Sequence, residues 1–118
     1  MAPGPSHEAK VQNNIRLALG RGLVRLFRNN TGALKDQQGR LVQFGLCKGS
    51  SDLIGWRSTT ITPEHVGQQL AVFVAIEVKD KGRPTPEQLA FIEAVRKAGG
   101  IAGVARSIEE AQAILDAM

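Results

Sequence analysis

At 118 residues, with a net charge of +4 and a pI near 9.7, the chain can hold one hydrophobic core and is modestly basic. Its composition, 42% hydrophobic and 22% charged, is that of a globular protein, and its longest strongly apolar run, residues 70–76, falls far short of the ~20 residues a membrane span needs. A lone Cys47 excludes an internal disulfide, and residues 1–7 lack the basic flank and apolar stretch of a secretory signal, so the expectation is a cytoplasmic protein with no membrane partner, bacterial or phage-encoded in a host cytoplasm.

The chain has no internal repeat or low-complexity tract and reads as a single domain over residues 1–118, with residues 1–5 expected to be flexible. Residues 6–20 carry Val11, Ile15, Ala18 and Leu19 at helical spacing, with Ser6 as N-cap and Gly20 and Gly22 as the stop. Residues 23–27 read as a strand, and Asn29, Asn30, Thr31 and Gly32 as a turn. A hairpin around Gln37, Gln38 and Gly39 joins residues 33–35 to 40–44. After a loop with two glycines, residues 52–56 form another strand. Thr62, Pro63 and Glu64 open one helical turn in a polar connection. Residues 70–78 are an apolar run suited to a sheet buried on both faces. Thr85, Pro86 and Gln88 predict a capped helix with a stripe of Leu89, Ile92 and Val95, ended by Gly99 and Gly100. Residues 101–105 follow as a short strand, and Ser107 with Glu110 forms a capping box for a closing helix through Leu115. This order, helix, three or four strands, helix, strand, helix, predicts an α/β sandwich with the sheet in the middle.

The chemistry concentrates at Glu77, Val78 and Lys79. On a strand Glu77 and Lys79 project to one side, while Ile76 and Val78 turn to the other and pack. Charge at the end of an apolar strand is costly unless it is paired or binds a metal. Alone, such a Glu-x-Lys is an ordinary ion pair. Asp52 begins its own strand 25 residues earlier, and if the two strands are neighbours, Asp52 and Glu77 converge as hard oxygen donors of the type Mg²⁺ prefers. A divalent ion there would polarise a phosphodiester, and Lys79 would orient the attacking water or stabilise the transition state.

The pattern Gly49-Ser50-Ser51-Asp52, then 24 residues, then Glu77-Val78-Lys79 resembles the PD-(D/E)xK nuclease superfamily, and within it the VRR-NUC (virus-type replication-repair nuclease) domain. Arg28-Asn29-Asn30-Thr31-Gly32, Lys48-Gly49, Thr85-Pro86-Glu87-Gln88 with Phe91, and Gly99-Gly100-Ile101-Ala102 carry the same resemblance, over roughly residues 6–115. It implies a restriction-endonuclease-like αβββαβ core, a central mixed sheet flanked by helices, with a closing C-terminal helix. It places the metal-binding acids on Asp52 and Glu77, a further metal contact on the Val78 carbonyl and the catalytic lysine on Lys79. Glu8 is the acid available on the first helix, its alternative being a first-turn acid favoured by the helix dipole. Gln88 matches a glutamine on the helix after the lysine, where it equally fits a capping box. Ser51 stands where the superfamily usually has proline, which puts the local turn in doubt.

The resemblance further implies a homodimeric, Mg²⁺- or Mn²⁺-dependent endonuclease for branched DNA, above all four-way (Holliday) junctions, that leaves 5′-phosphate and 3′-hydroxyl ends. A nuclease of flaps or nicked duplex would use the same residues, and the other class is a non-catalytic DNA-binding module. DNA-facing residues are expected at Arg28, Asn29, Asn30, Thr31, Lys48 and Ser51. Between Lys10 and Trp56 eight basic residues stand against two acids, whereas after Ser58 six stand against eight, so the first half is the expected phosphate-facing surface. Trp56 is expected in a core or dimer contact more than against a base. No phosphate-binding Gly-x4-Gly-Lys-Ser/Thr loop occurs, and one Cys with two distant His residues makes no zinc site.

Overall fold

The computed structural model describes residues 6–117; the expectation for residues 1–5 lies outside them. In chain order the elements are α1 (His7–Leu19), β1 (Val24–Arg28), β2 (Gly32–Lys35), β3 (Leu41–Phe44), β4 (Leu53–Arg57), a single 3₁₀ turn (Pro63–His65), β5 (Val74–Val78), α2 (Pro86–Lys97), β6 (Ile101–Ala105) and α3 (Ile108–Leu115). The fold is α/β, with small sheets flanked by helices and a helix at the C-terminal end. The strands are bonded in three pairs, β1 with β4, β2 with β3 and β5 with β6. Two compact units divide between Trp56 and Arg57. Among the described residues no helix is long and apolar enough to cross a membrane.

In the first unit, Ser6 caps α1 by accepting from the Ala9 N–H at 3.1 Å, as its position before the periodic segment predicts. The helix lies against β1. Its half-buried positions are Ala9, Gln12 and Arg16, whereas Val11, Ile15 and Leu19 are 40–60% exposed, so the apolar stripe is the outer side of this helix. Phe27 on β1 and Trp56 on β4 meet with ring centroids 5.5 Å apart, tilted at 52°. β1 and β4 approach closely because position 55 has no side chain: a Cβ on Gly55 would collide with the Arg25 carbonyl oxygen. The hairpin forms where its turn residues predict, antiparallel with Leu34 opposite Val42 and Gly32 opposite Phe44. Gly32 leaves room for the Phe44 ring across the pair.

The second unit is a β5–α2–β6 crossover followed by α3. β5 and β6 run parallel, from Val74 opposite Ile101 to Val78 opposite Ala105. The buried apolar side chains of the described residues are here: Ile92 and Val95 from α2 and Ala102 and Ala105 from β6. Gly103 lies so close to the Ile114 side chain of α3 that a Cβ would come within 2.8 Å of it. α2 starts with the full capping box read from the sequence, Thr85 Oγ1 accepting from the Gln88 N–H at 3.1 Å and Gln88 Oε1 from the Thr85 N–H at 2.9 Å. At α3 the Ser107 half forms, but Glu110 reaches one residue further back and accepts from the Arg106 N–H at 2.7 Å.

Two expectations about residues 70–78 are corrected. The strand begins only at Val74, and it is not buried on both faces, since Val74 is 42% and Val78 74% exposed. Val78 therefore does not pack opposite Glu77. The physical reason is that an apolar run signals burial without saying on how many sides or how far along the strand the cover extends.

Candidate active site

Asp52 is placed by the loop before β4, and that loop is braced by Asn29 at the end of β1. The Asn29 side chain is buried, 9% exposed. Its Nδ2 donates to Ser50 Oγ at 2.6 Å and to the Ser51 carbonyl at 2.9 Å, and its Oδ1 accepts from the Leu46 N–H at 2.9 Å. Its own N–H donates to the Asp52 carbonyl at 2.8 Å. Ser50 closes the loop by donating to the Cys47 carbonyl at 2.6 Å. Asn29, expected to face phosphate, is thus engaged inside the chain and fixes the backbone of Asp52. Among the described residues the Asp52 side chain makes no hydrogen bond or ion pair, and it lines a cavity of about 380 Å³.

That cavity gathers Ser6, Glu8, Ala9 and Gln12 from α1 and its cap, Arg28, Asn29, Asn30 and Thr31 from the end of β1 and the following turn, and Asp52. Two acids 44 residues apart in sequence, Glu8 and Asp52, therefore line one space. Arg28 donates to Asn30 Oδ1 at 3.3 Å, which leaves most of its guanidinium donors open. Ser51 and Lys48 do not line the cavity; Lys48 is exposed in the loop beside it, and Ser51 contributes its carbonyl to the Asn29 brace. Gln12 and Ser6 belong to the lining and carry no motif-like signal. Gln12 was detectable only as the residue one helical turn after Glu8.

In the second unit, strand alternation puts Glu77 and Lys79 on one face of β5, and their charged groups meet at 3.4 Å, both side chains 22–30% exposed. The Lys79 N–H continues the ladder past the strand end by donating to the Ala105 carbonyl at 3.1 Å. The lysine backbone is thereby held as firmly as that of the glutamate. Glu77 also lines a recess of about 360 Å³ with Glu87, Gln88 and Phe91 from α2. Glu87 is an acid outside the Glu-x-Lys pattern. Gln88 uses its oxygen for the cap, and its Nε2 makes no hydrogen bond among the described residues, so capping and a contact to a ligand do not compete.

No three of His, Cys, Asp and Glu among the described residues cluster closely enough to hold an ion on their own. A hard divalent cation in a phosphoryl-transfer site needs only one or two carboxylates, since water and substrate phosphate complete its shell. Glu8 and Asp52 over one cavity fit that donor chemistry, all oxygen and no sulfur or nitrogen.

No curated protein and no solved structure matches the chain. The family model described as VRR-NUC domain matches residues 14–109, which include Asp52, Glu77, Lys79 and Gln88 but not Glu8 or Gln12. With most of its length covered and Asp52 just before β4, Glu77 in β5 and Lys79 just after it standing in order, the chain belongs to the VRR-NUC domain family and has a nuclease-type function.

Proposed function

We propose that this protein is a divalent-metal-dependent DNA endonuclease of homodimeric form, selective for branched DNA and above all for four-way junctions. The observation that carries the reading is the cavity that brings Glu8 and Asp52 together with the donors of Arg28, Asn30 and Thr31. Two carboxylates alone would repel a phosphodiester. The same carboxylates with a cation between them and the phosphate attract it.

In this reading Asp52 and Glu8 would hold Mg²⁺ or Mn²⁺ over the cavity of the first unit, and Glu77 and the Val78 carbonyl are the oxygen donors of the second unit. The bound cation supplies Lewis-acid polarisation of the phosphate and a more acidic water. Arg28, Asn30 and Thr31 bind and orient the phosphate oxygens, with Lys48 and Ser51 on the neighbouring backbone. Glu77 keeps the Lys79 ammonium fixed through their ion pair, and Lys79 orients the attacking water. The water oxygen forms a bond to phosphorus and the bond from phosphorus to O3′ breaks. The products are a 5′-phosphate and a 3′-hydroxyl. Gln88 donates from its free Nε2 to the substrate. A pair of chains related by a two-fold axis suits a two-fold branched substrate, and the hairpin face of Leu34, Val42 and Phe44, 44–68% exposed, supports association.

The test is a panel of labelled four-way junction, flap, nicked and linear duplex, each with Mg²⁺, Mn²⁺ or EDTA. Cleavage is expected with either metal, fastest on the junction, and none in EDTA. Asp52→Asn and Glu77→Gln are each expected to lower the rate by at least ~100-fold without loss of fold by circular dichroism. Wild-type-like cutting by either variant overturns the site. Binding without cutting under every metal condition would favour the DNA-binding module instead.

A further inference from the structure

We propose that Gln12 is a substrate-contacting residue, its carboxamide donating a hydrogen bond to a non-bridging oxygen of a DNA phosphate in the cavity of the first unit. The inference rests on the nuclease reading and adds a residue that lies outside the family match.

Gln12 follows Glu8 by four positions, so the two side chains share one face of α1. Glu8 is exposed and Gln12 half-buried, whereas Val11 and Ile15 beside Gln12 are 41% and 40% exposed. A polar residue at an inward position of an otherwise amphipathic helix runs against the sequence's own apolar pattern. Buried amides normally find partners in the protein or in ordered water. Among the described residues the Gln12 carboxamide makes no hydrogen bond, although Asn29 in the same lining uses all of its side-chain polar groups. Packing does not require an amide at this position, and the open cavity offers it a place to act.

The surroundings say what the amide meets. The cavity holds two acceptor-only groups when ionised, Glu8 and Asp52, and a set of donors in Arg28, Asn30, Thr31 and Ser6. A ligand that satisfies both sets is an anion accompanied by a cation, and a phosphodiester with a divalent ion has that form. Next to two carboxylates a lysine would fold onto them as an ion pair. A neutral amide donates to phosphate without being captured in that way.

Gln12→Leu and Gln12→Glu separate the possibilities. Leucine keeps bulk and helix propensity without the donor, and glutamate keeps the shape but puts a second oxygen in place of the donor. Each variant is compared with wild type in three measurements: thermal unfolding, Mn²⁺ affinity by calorimetry, and affinity for a fluorescent four-way junction in Ca²⁺ by anisotropy. Cleavage in Mg²⁺ is then measured on the same DNA. The expected result is unchanged unfolding and Mn²⁺ binding for Gln12→Leu, with DNA affinity and cleavage each lowered by about 10-fold or more, and a larger loss for Gln12→Glu. Full DNA affinity in Gln12→Leu, or restored cleavage in Gln12→Glu, overturns the contact. A fall in Mn²⁺ affinity with DNA binding intact would make Gln12 part of the cation shell and likewise overturns it. Wild-type cleavage separates the two levels. If wild type cuts and the variants cut equally well, only the Gln12 assignment fails; if wild type neither cuts nor binds, the nuclease reading fails and this inference with it.

Discussion

Asn29 illustrates how one side chain places a functional group it does not itself supply. Both hydrogens of its amide and its oxygen are bonded to the loop that leads into Asp52, and the site is nearly closed to water. Asn29→Ala removes these three bonds and leaves the Leu46 N–H without its partner, so a loss of about 2–3 kcal/mol is expected in urea denaturation. Asn29→Asp keeps an acceptor for Leu46 but turns an oxygen toward the Ser51 carbonyl, and an intermediate loss is expected. Cleavage should fall with stability in both variants, because Asp52 follows the loop. Undiminished stability in Asn29→Ala would show that the loop is held by something else. From sequence this residue was read as turn chemistry and as a phosphate donor. Both readings ranked Asn by its exposed uses, and nothing in a single sequence marks which of two adjacent asparagines turns inward. The meeting of Glu77 and Lys79 was legible because strand alternation is a local rule that sequence encodes.

At the scale of elements, α2 was readable almost to the residue. Its cap, its proline in the first turn and its glycine stop are all local rules acting within five residues. β6 was equally plain. The face α1 turns inward was not, since the choice between its apolar stripe and its Gln12 side is made by what α1 meets in space. The same limit produced the overlong strand before Val74. The α2 cap also allows a decisive substitution. Gln88→Glu preserves the acceptor for the Thr85 N–H and therefore the capping box, while removing the Nε2 donor and adding charge to the recess shared with Glu77 and Glu87. The expected outcome is thermal stability within ~0.5 kcal/mol of wild type and cleavage slowed by at least about 10-fold. Gln88→Ala, which breaks half the box, should cost roughly 0.5–1 kcal/mol as well as activity. Full activity in Gln88→Glu would reduce Gln88 to a cap.

For the molecule as a whole the uneven charge is the feature that reaches furthest. In the first unit Arg21, Arg28, Lys35 and Lys48 are exposed without a carboxylate partner, and the ion pair found there among the described residues is Arg40 with Asp36. Surface cations left unpaired by the fold remain available to release counterions from DNA, and each phosphate neutralised adds close to one unit to the slope of log affinity against log salt. The slope should therefore be steep in Ca²⁺, where cutting is suppressed. Arg28→Gln and Lys48→Gln should each flatten it by about one unit while weakening junction and linear duplex alike. Lys97→Gln, in the second unit, should leave it unchanged. The comparison is informative because it divides affinity from selectivity. Charge of this kind grips any duplex, so a preference for four-way junctions that survives high salt would have its source in shape, as the spacing of two active sites in the proposed dimer provides. A preference that vanishes together with the salt-sensitive binding would instead make the branched substrate merely the one with the most phosphate within reach.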